Sequence, residues 1–288
     1  MKQLRNIFVL LIAAALSCGF YFNQSNHDKK NGKLPKGKWL LLKAEDISAN
    51  MKNLNHYKNF GKYAKGYNLE VLRAIDSVQA HAMDGGGYFI GKDSVPTESP
   101  IGYDLKLFGH SLINPPRTTS YCSGSSYSAF ITALDFILPG GAKKISKQRM
   151  EAMRMQEPDG GRREDWIKYW GIWNADGFGS EYALVQYGKM GRVVKPEDAR
   201  PGDFMNISWK TSIGHSVVFL GWYIDNDGTK NIVYWSSQKA TNGMSDQIVP
   251  ISRIKEVKIV RLTKPQNLFK FDISNKVDKN IPGDPINL

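Results

Sequence analysis

Cysteine is scarce in this sequence: Cys18 and Cys122 are the only two among 288 residues. Two cysteines allow at most one disulfide, so no disulfide framework can hold the fold. The sequence also lacks zinc-ligand spacing, a Gly-Lys-Ser/Thr phosphate loop and basic clusters interleaved with stacking aromatic residues. We therefore expect neither a nucleotide-phosphate site nor a nucleic-acid partner.

The sequence also has no apolar run as long as the roughly 20 residues that a membrane-spanning helix needs. The main apolar run, from Ile7 to Leu16, follows Lys2 and Arg5 and precedes Ser17-Cys18-Gly19. This order is typical of a bacterial export signal. The sequence therefore predicts an exported protein, located in the periplasm or at the cell surface.

The end of the export signal is similar to the cleavage box of bacterial lipoproteins, although Ala15 stands where leucine is usual. Three outcomes are open: lipid attachment at Cys18, cleavage without a lipid, and retention as an uncleaved anchor. We favour the first, which would attach the chain to a membrane. In each case Cys122 has no intrachain partner, so its thiol is either buried and inert or retained for its reactivity.

The chain is strongly basic, with a net charge of +12 and a pI near 9.5. Such a charge favours anionic surroundings, and an acidic wall or membrane environment fits an exported protein. A composition of 41% hydrophobic residues is enough to bury a full core.

Two stretches have apolar residues at helical spacing. The first begins at Asn68, a candidate cap, and stops at Asp84 before a run of glycines; the second follows Cys122 and stops at Pro139. Cys122 is therefore expected in the first turn of a buried helix. Unpaired amides and the helix dipole at that position lower the pKa of a thiol, which predicts a reactive thiolate.

Downstream, the apolar pattern changes to a period of two, which predicts an antiparallel sheet. The candidate strands are 204–209, 215–224, 231–237 and 257–262. The turn sequence Asp225-Asn-Asp-Gly228 should join the second and third strands in a hairpin. Earlier in the chain, 87–91 reads as a short strand and the proline-rich passage 96–116 as a long loop.

A nucleophilic cysteine needs a base within hydrogen-bond reach. The candidate histidines are His27, His56, His81, His110 and His215. His215 begins an apolar strand, which can hold an imidazole rigidly against a helix start, whereas His110 lies in the predicted loop. The other three are expected to be solvated or capping residues.

Three motifs occur in the same order as in a known family: Tyr121-Cys122-Ser123-Gly124, Arg200-Pro-Gly-Asp-Phe204 and Gly214-His215-Ser-Val-Val-Phe-Leu-Gly221. Together they resemble the papain-like cell-wall hydrolases of the NlpC type and their CHAP relatives, over about residues 85–262. The resemblance implies an α+β, papain-like fold, in which an N-terminal helix carrying the Cys packs on an antiparallel sheet carrying the His.

The resemblance also implies a third polar residue that orients the imidazole, usually His, Asn or Gln. The matching stretch from Val233 to Gln238 contains no histidine, and Trp235 cannot accept a hydrogen bond. Ser236 and Gln238 share a strand face. We favour Gln238, because a carbonyl acceptor fixes the imidazole tautomer better than a hydroxyl, and keep Ser236 as the alternate.

We predict that three residues bind the substrate: Tyr121 and Ser123, which flank the nucleophile, and Trp173. The last belongs to an aromatic segment, 166–178, for which packing in the core or in a lid is the favoured interpretation over sugar stacking. Asp203 is expected to orient a loop rather than to catalyse.

The resemblance implies an exported cysteine peptidase or amidase that cleaves peptide or amide bonds of peptidoglycan stem peptides, with no metal or organic cofactor. Alternatives are a catalytically silent wall-binding lipoprotein, and an acyltransferase or amidase of the same superfamily. The predicted segments are a signal peptide (1–18), a polar basic tether (19–38), an N-terminal helical extension (39–84), a papain-like hydrolase domain (85–265) and a C-terminal tail (266–288).

If Cys18 carries a lipid, an inhibitor of lipoprotein signal peptidase should leave a heavier precursor in the exporting cell. Immunoblotting of the chain, with and without the inhibitor, measures this difference. A band of unchanged mass would show that Cys18 is not processed as a lipoprotein cysteine.

Overall fold

The structure is a computed structural model that describes residues 38–90, 99–114, 117–155, 169–170, 179–211, 214–278 and 282–288. The predicted signal peptide and nearly all of the tether lie outside the described residues. The described residues belong to one compact unit, Leu34–Leu288.

The described helices are α1 (His56–Phe60), α2 (Asn68–Ala80), α3 (Cys122–Ile137), α4 (Lys147–Ala152) and α5 (Gly179–Glu181), which continues into a π-helical turn, Tyr182–Tyr187. The described strands are β1 (Leu105–Leu107), β2 (His110–Ile113), β3 (Gly191–Val194), β4 (Phe204–Trp209), β5 (His215–Ile224), β6 (Lys230–Gln238), β7 (Gly243–Pro250) and β8 (Ile254–Leu262). β1 and β2 form a hairpin, and the other strands form one antiparallel sheet in the order β3-β8-β4-β5-β6-β7. The fold is mixed α and β with antiparallel sheets, as the sequence predicts.

Both predicted helices are confirmed, since α2 begins at Asn68 and α3 begins at Cys122. The assignment of Asn68 as a helix cap is wrong, because Tyr67 occupies the cap position. The Asn68 amide instead donates to the carbonyl of Pro201 at 2.9 Å and to Asp203 Oδ1 at 2.8 Å. The Asn68 side chain thus bonds to the distant segment 201–203 instead of capping its own helix.

The four predicted strands are confirmed as β4, β5, β6 and β8, the last two with extensions at their ends. β5 and β6 pair in the expected hairpin. Two strands of the sheet, β3 and β7, were not predicted. Both lie at sheet edges, where short polar stretches show little of the alternation that reveals a strand.

The passage expected to be a long loop contains the β1–β2 hairpin instead. His110 begins β2 and is exposed, so its assignment to a loop is wrong. The short strand predicted at 87–91 is also wrong over its described residues, which hold an isolated bridge between Tyr88 and Ser120. The bridge joins segments that are distant in sequence and was not visible locally, whereas β1 and β2 are sequence neighbours that pair within the passage itself.

The six-stranded sheet is buried on both faces. Alternate residues of β5 point to opposite sides: Val218 and Leu220 join the cluster that contains the helices, while Val217 and Phe219 join a second cluster. The second cluster is covered by the ends of the described chain, where Trp39 packs on Trp222 with ring centroids 5.3 Å apart and Ile286 and Leu288 add apolar contacts. Burial on two sides explains why β5 is an almost continuous apolar run.

Residues of the predicted N-terminal extension and C-terminal tail lie in the same core as the middle of the chain. Phe60 and Leu72 from the first segment, and Leu268 and Phe271 from the last, are buried in the cluster that contains α3. α2 packs directly against α3. The segment boundaries remain predictions, but both outer segments support the helix that carries Cys122.

Asp203 is a structural residue, as expected. It is fully buried and accepts two hydrogen bonds from Arg261, at 2.7 and 2.6 Å, and one from the backbone amide of Arg200 at 2.8 Å. A carboxylate in this position holds the turn that leads into β4 and joins it to β8. The Pro-Gly-Asp motif is thereby fixed at the entry to the sheet.

His56 is buried between two carboxylates, so the expectation that it is solvated or capping is wrong. Its Nδ1 lies 2.6 Å from Asp76 Oδ1 and its Nε2 lies 2.7 Å from Asp246 Oδ1. Burial lowers the pKa of His56, but the two carboxylates outweigh burial and raise that pKa to about 9. The charged imidazole therefore joins α1, α2 and β7 across the fold.

Replacing the charged ring with a neutral amide, His56→Gln, should lower the free energy of unfolding by about 3 kcal/mol at pH 6, because buried Asp246 loses its cation. The native pKa of His56 lies above its unfolded value of about 6.5, so its contribution is present below pH 6.5 and is lost as the pH rises through about 9. Urea denaturation at pH 6 and at pH 9.5 measures both effects.

The matched control is His110→Gln at the exposed start of β2, which should change stability by less than about 0.5 kcal/mol. Equal loss in the two variants, or a loss for His56→Gln that is the same at both pH values, would contradict the charged assignment.

Candidate active site

Cys122 is the first residue of α3, and the preceding Tyr121 has extended backbone angles of φ −137° and ψ 170°. The turn into the helix therefore places the thiol at the helix start, as the sequence predicts. Only 9% of Cys122 is exposed, and this part faces a cavity of about 330 Å³. His215 and Gln238 line the same cavity.

The cavity wall combines aromatic, apolar, amide and cationic side chains. It includes residues from the segment before α3, the ends of β4 and β5, the strands β6 and β7, and the turns that follow β6 and β7. Its lining residues are Tyr88, Ile90, Tyr121, Cys122, Trp209, Thr211, Gly214, His215, Tyr234, Gln238, Lys239, Ala240, Gln247, Val249 and Arg253.

Burial raises the pKa of the Cys122 thiol, although the backbone N–H groups of Ser216, Ser123 and Cys122 itself act in the opposite direction. The expectation of a lowered thiol pKa is therefore wrong in direction. The backbone amides at the helix start do lower the thiol pKa, as the sequence predicts. Removal of the sulfur from water is the larger effect.

His215 begins β5 and has an aromatic neighbour on each side. Its ring centroid lies 6.1 Å from that of Trp209 and 5.5 Å from that of Tyr234. Burial lowers the pKa of His215 to about 4, and the side chain of Gln238 partly opposes this shift. At neutral pH the imidazole is therefore uncharged and able to accept a proton.

Gln238 supplies the amide that faces His215. Its nitrogen donates to Thr241 Oγ1 at 2.9 Å and to the carbonyl of Ser245 at 3.1 Å, which leaves Oε1 as the free end. This oxygen and His215 Nε2 are both buried, and neither makes a hydrogen bond of ordinary geometry within the described residues. A hydrogen bond between the two would satisfy both atoms and leave Nδ1 as the proton acceptor.

The alternate third residue, Ser236, has a different partner. Its hydroxyl donates to the carbonyl of Ser216 at 2.7 Å, and the side chain is fully buried between strands. It does not line the cavity. The geometry therefore favours Gln238 over Ser236 as the residue that orients His215, in agreement with the sequence analysis.

The three residues assigned to substrate binding have different positions. Tyr121 lines the cavity, whereas the hydroxyl of Ser123 is buried, has no hydrogen-bond partner among the described residues and does not form part of the wall. Trp173 and most of its aromatic segment lie outside the described residues. The two described members, Tyr169 and Trp170, are fully buried in the core, which agrees with the packing interpretation for them.

Serine hydroxyls attach the first turns of α3 to the sheet. Ser126 Oγ lies 2.7 Å from Ser216 Oγ and accepts a hydrogen bond from Trp170 Nε1 at 2.8 Å. Ser125 Oγ accepts from the backbone amide of Ser237 at 3.0 Å and donates to the carbonyl of Cys122 at 2.9 Å. The helix that carries the thiol is thus bonded directly to both strands that carry the other candidate residues.

Gly124 makes a second close approach possible. The backbone of Pro100 lies directly against the first turn of α3. A Cβ atom at position 124 would be only 1.6 Å from the Pro100 carbonyl oxygen. The same carbonyl accepts a hydrogen bond from the amide of Tyr121 at 3.3 Å. The glycine of the Cys-Ser-Gly motif is therefore required by packing, because no other residue leaves room for this backbone.

Several cavity residues were missed by sequence reasoning: Trp209, Tyr234, Lys239, Gln247 and Arg253. Tyr234 and Gln247 are paired in the middle of β6 and β7, Trp209 ends β4, and Lys239 and Arg253 lie in short turns. Nothing in the local pattern distinguishes them from ordinary sheet or surface residues. The pairing of β7 and the position of the 3-10 turn Ile251–Arg253 bring them to the cavity.

Comparisons of this chain with known proteins found no matching family model, no matching curated protein and no matching solved structure. In the part of the chain that the structure describes, no helix has the length and apolar character needed to cross a membrane. Within the same residues, no three or more His, Cys, Asp or Glu side chains form a group that could bind a metal ion.

Because burial raises its pKa, native Cys122 should be alkylated by iodoacetamide with an apparent pKa above the ordinary thiol value of about 8.5. The pH dependence of alkylation, followed by mass spectrometry of the peptide that contains Cys122, gives this pKa. The same peptide in urea-unfolded protein provides the control. Faster alkylation of the folded protein near pH 6 would instead show a stabilised thiolate.

Proposed function

We propose that this protein is a cysteine hydrolase of papain-like architecture that cleaves peptide or amide bonds in peptidoglycan stem peptides. The observation that carries the proposal is the presence of Cys122, His215 and Gln238 in one cavity, each on a different element of secondary structure. A thiol at a helix start, an imidazole on a strand and an amide on the next strand form a nucleophile, a base and an orienting group.

The directions of the two pKa shifts define the resting state. Cys122 is a neutral thiol and His215 a neutral imidazole, so the thiol proton has to move during attack rather than before it. Sγ bonds to the carbonyl carbon of the substrate as His215 Nδ1 accepts the proton. Gln238 Oε1 then accepts a hydrogen bond from Nε2–H of the imidazolium and stabilises its charge.

The second half of the reaction returns the proton. The imidazolium donates it to the leaving amine as the carbon–nitrogen bond breaks, which leaves a thioester on Cys122. Water then attacks the thioester with His215 again as the base, and the acid product leaves with the thiol restored. The backbone amide of Cys122, at the open start of α3, is the candidate donor to the oxyanion.

The basic composition and the predicted export signal support a wall substrate over a soluble cytoplasmic one. The predicted site of action is therefore the cell envelope, with attachment through a lipid on Cys18.

Incubation of the mature protein with purified sacculi, followed by mass spectrometry of the released muropeptides, should reveal new peptide ends. Cys122→Ala should abolish their formation. His215→Ala should reduce the rate by a factor on the order of 10³ or more, because the nucleophile loses its base, and Gln238→Ala should give an intermediate loss.

His110→Ala is the matched control, since this exposed histidine does not line the cavity and should leave the rate close to that of the wild type. Release of whole stem peptides would identify an amidase, and transfer of an acyl group to an added amine an acyltransferase. Unchanged sacculi would support the silent wall-binding alternative. Activity that survives His215→Ala but not His110→Ala would overturn the papain-like assignment.

A further inference from the structure

The charged side chains on the described wall of the cavity are both cations. Lys239 lies in the turn directly after Gln238, and Arg253 lies in the turn between β7 and β8. The described lining residues include no aspartate or glutamate. A group that binds against this wall therefore meets positive charge without a compensating carboxylate.

Arg253 lies over the ring of Trp209, which is itself an aromatic neighbour of the candidate base. Its guanidinium carbon lies 5.8 Å from the centre of the Trp209 ring, and that ring lies 6.1 Å from the ring of His215. The guanidinium also acts electrostatically on the hydroxyl of Tyr234, another neighbour of His215. This distance is within the range of a cation–π contact, which favours a position of the guanidinium over the Trp209 ring.

Both cations are exposed, and neither forms an ion pair with a carboxylate in the described part of the chain. Buried arginines elsewhere in the fold show the contrast, since Arg261 is paired with Asp203 at 2.6 Å. Arg253 thus keeps its five N–H donors for a group that enters from outside, and an incoming carboxylate matches that donor geometry.

We propose that Arg253, assisted by Lys239, determines specificity by binding a carboxylate that the substrate carries beside the bond to be cleaved. The proposal rests on the hydrolytic function proposed above and narrows it to anionic peptides. A substrate with a free ammonium group in the same position would be repelled by the two cations. A neutral substrate would gain no charge-assisted hydrogen bond.

The test uses two stem peptides that differ in one group: one has the free α-carboxylate of its D-glutamate residue, and the other has the corresponding carboxamide. The mature wild-type protein should cleave the acid with a kcat/KM roughly tenfold or more above that for the amide. Arg253→Gln should remove this preference by lowering kcat/KM for the acid alone. Thermal denaturation checks that the variant is folded.

Lys255→Gln is the charge-matched control, because it removes one exposed cation close in sequence that lies on a different surface cleft. It should keep the preference for the acid. Equal loss in both variants would show a general effect of net charge, and equal cleavage of acid and amide by the wild type would overturn the specificity proposal while leaving the hydrolytic function intact.

If the wild type cleaves neither peptide, the proposed function fails. Binding measurements then decide separately whether Arg253 and Lys239 bind a carboxylate. Isothermal titration of Cys122→Ala with the two peptides should then show tighter binding of the acid, lost when Arg253→Gln is added. Equal affinity for both peptides, or no binding of either, would overturn the carboxylate site as well.

Discussion

The close docking of the first turns of α3 on strands β5 and β6 is the contact on which the candidate site depends. Small serine side chains allow the helix to approach, and their hydroxyls satisfy one another and nearby backbone groups, as in the 2.7 Å contact between Ser126 and Ser216. Gly124 allows a similar approach to Pro100 on the other side. Larger residues at these positions would separate the thiol from the imidazole even if each element kept its own structure.

This docking also explains why the Cys122 thiol and the His215 imidazole are both neutral at neutral pH. Exclusion of water raises the pKa of Cys122 and lowers that of His215, so charge separation in the resting state is unfavourable. In the proposed reaction, negative charge develops on the carbonyl oxygen of the substrate. The same dry surroundings then strengthen each hydrogen bond to the developing charges.

Sequence reasoning recovered the elements whose signals are local. The helix starts at Asn68 and Cys122 and the strands β4 and β5 follow from apolar periodicity and from glycine and proline stops. It failed where a distant segment decides the outcome. His56 looked like a surface residue because Asp246 lies 190 positions away, and the edge strand β7 has too little alternation to be recognised.

The candidate site shows the same division. Cys122 and His215 were predicted because each begins an element and lies in a motif of the resemblance, and Gln238 because its carbonyl can accept a hydrogen bond from the imidazole; all three line one cavity. Arg253 and Trp209 were not predicted, since Trp209 approaches His215 through the pairing of β4 with β5, and Arg253 approaches Trp209 through the pairing of β4 with β8 and a short turn. The direction of the thiol pKa was also inaccessible, because burial depends on the packed structure rather than on position in a helix.

The position of the charged His56 ring between Asp76 and Asp246 affects the order in which parts of the chain fold. The two ion pairs of this ring close separations of 20 and 190 residues, and the longer one requires β7 to have paired with β6. Such long closures are entropically costly and tend to form late in folding. α1 can therefore join β7 through His56 only after β7 has formed on β6, and an interaction that forms late in folding acts mainly by slowing unfolding.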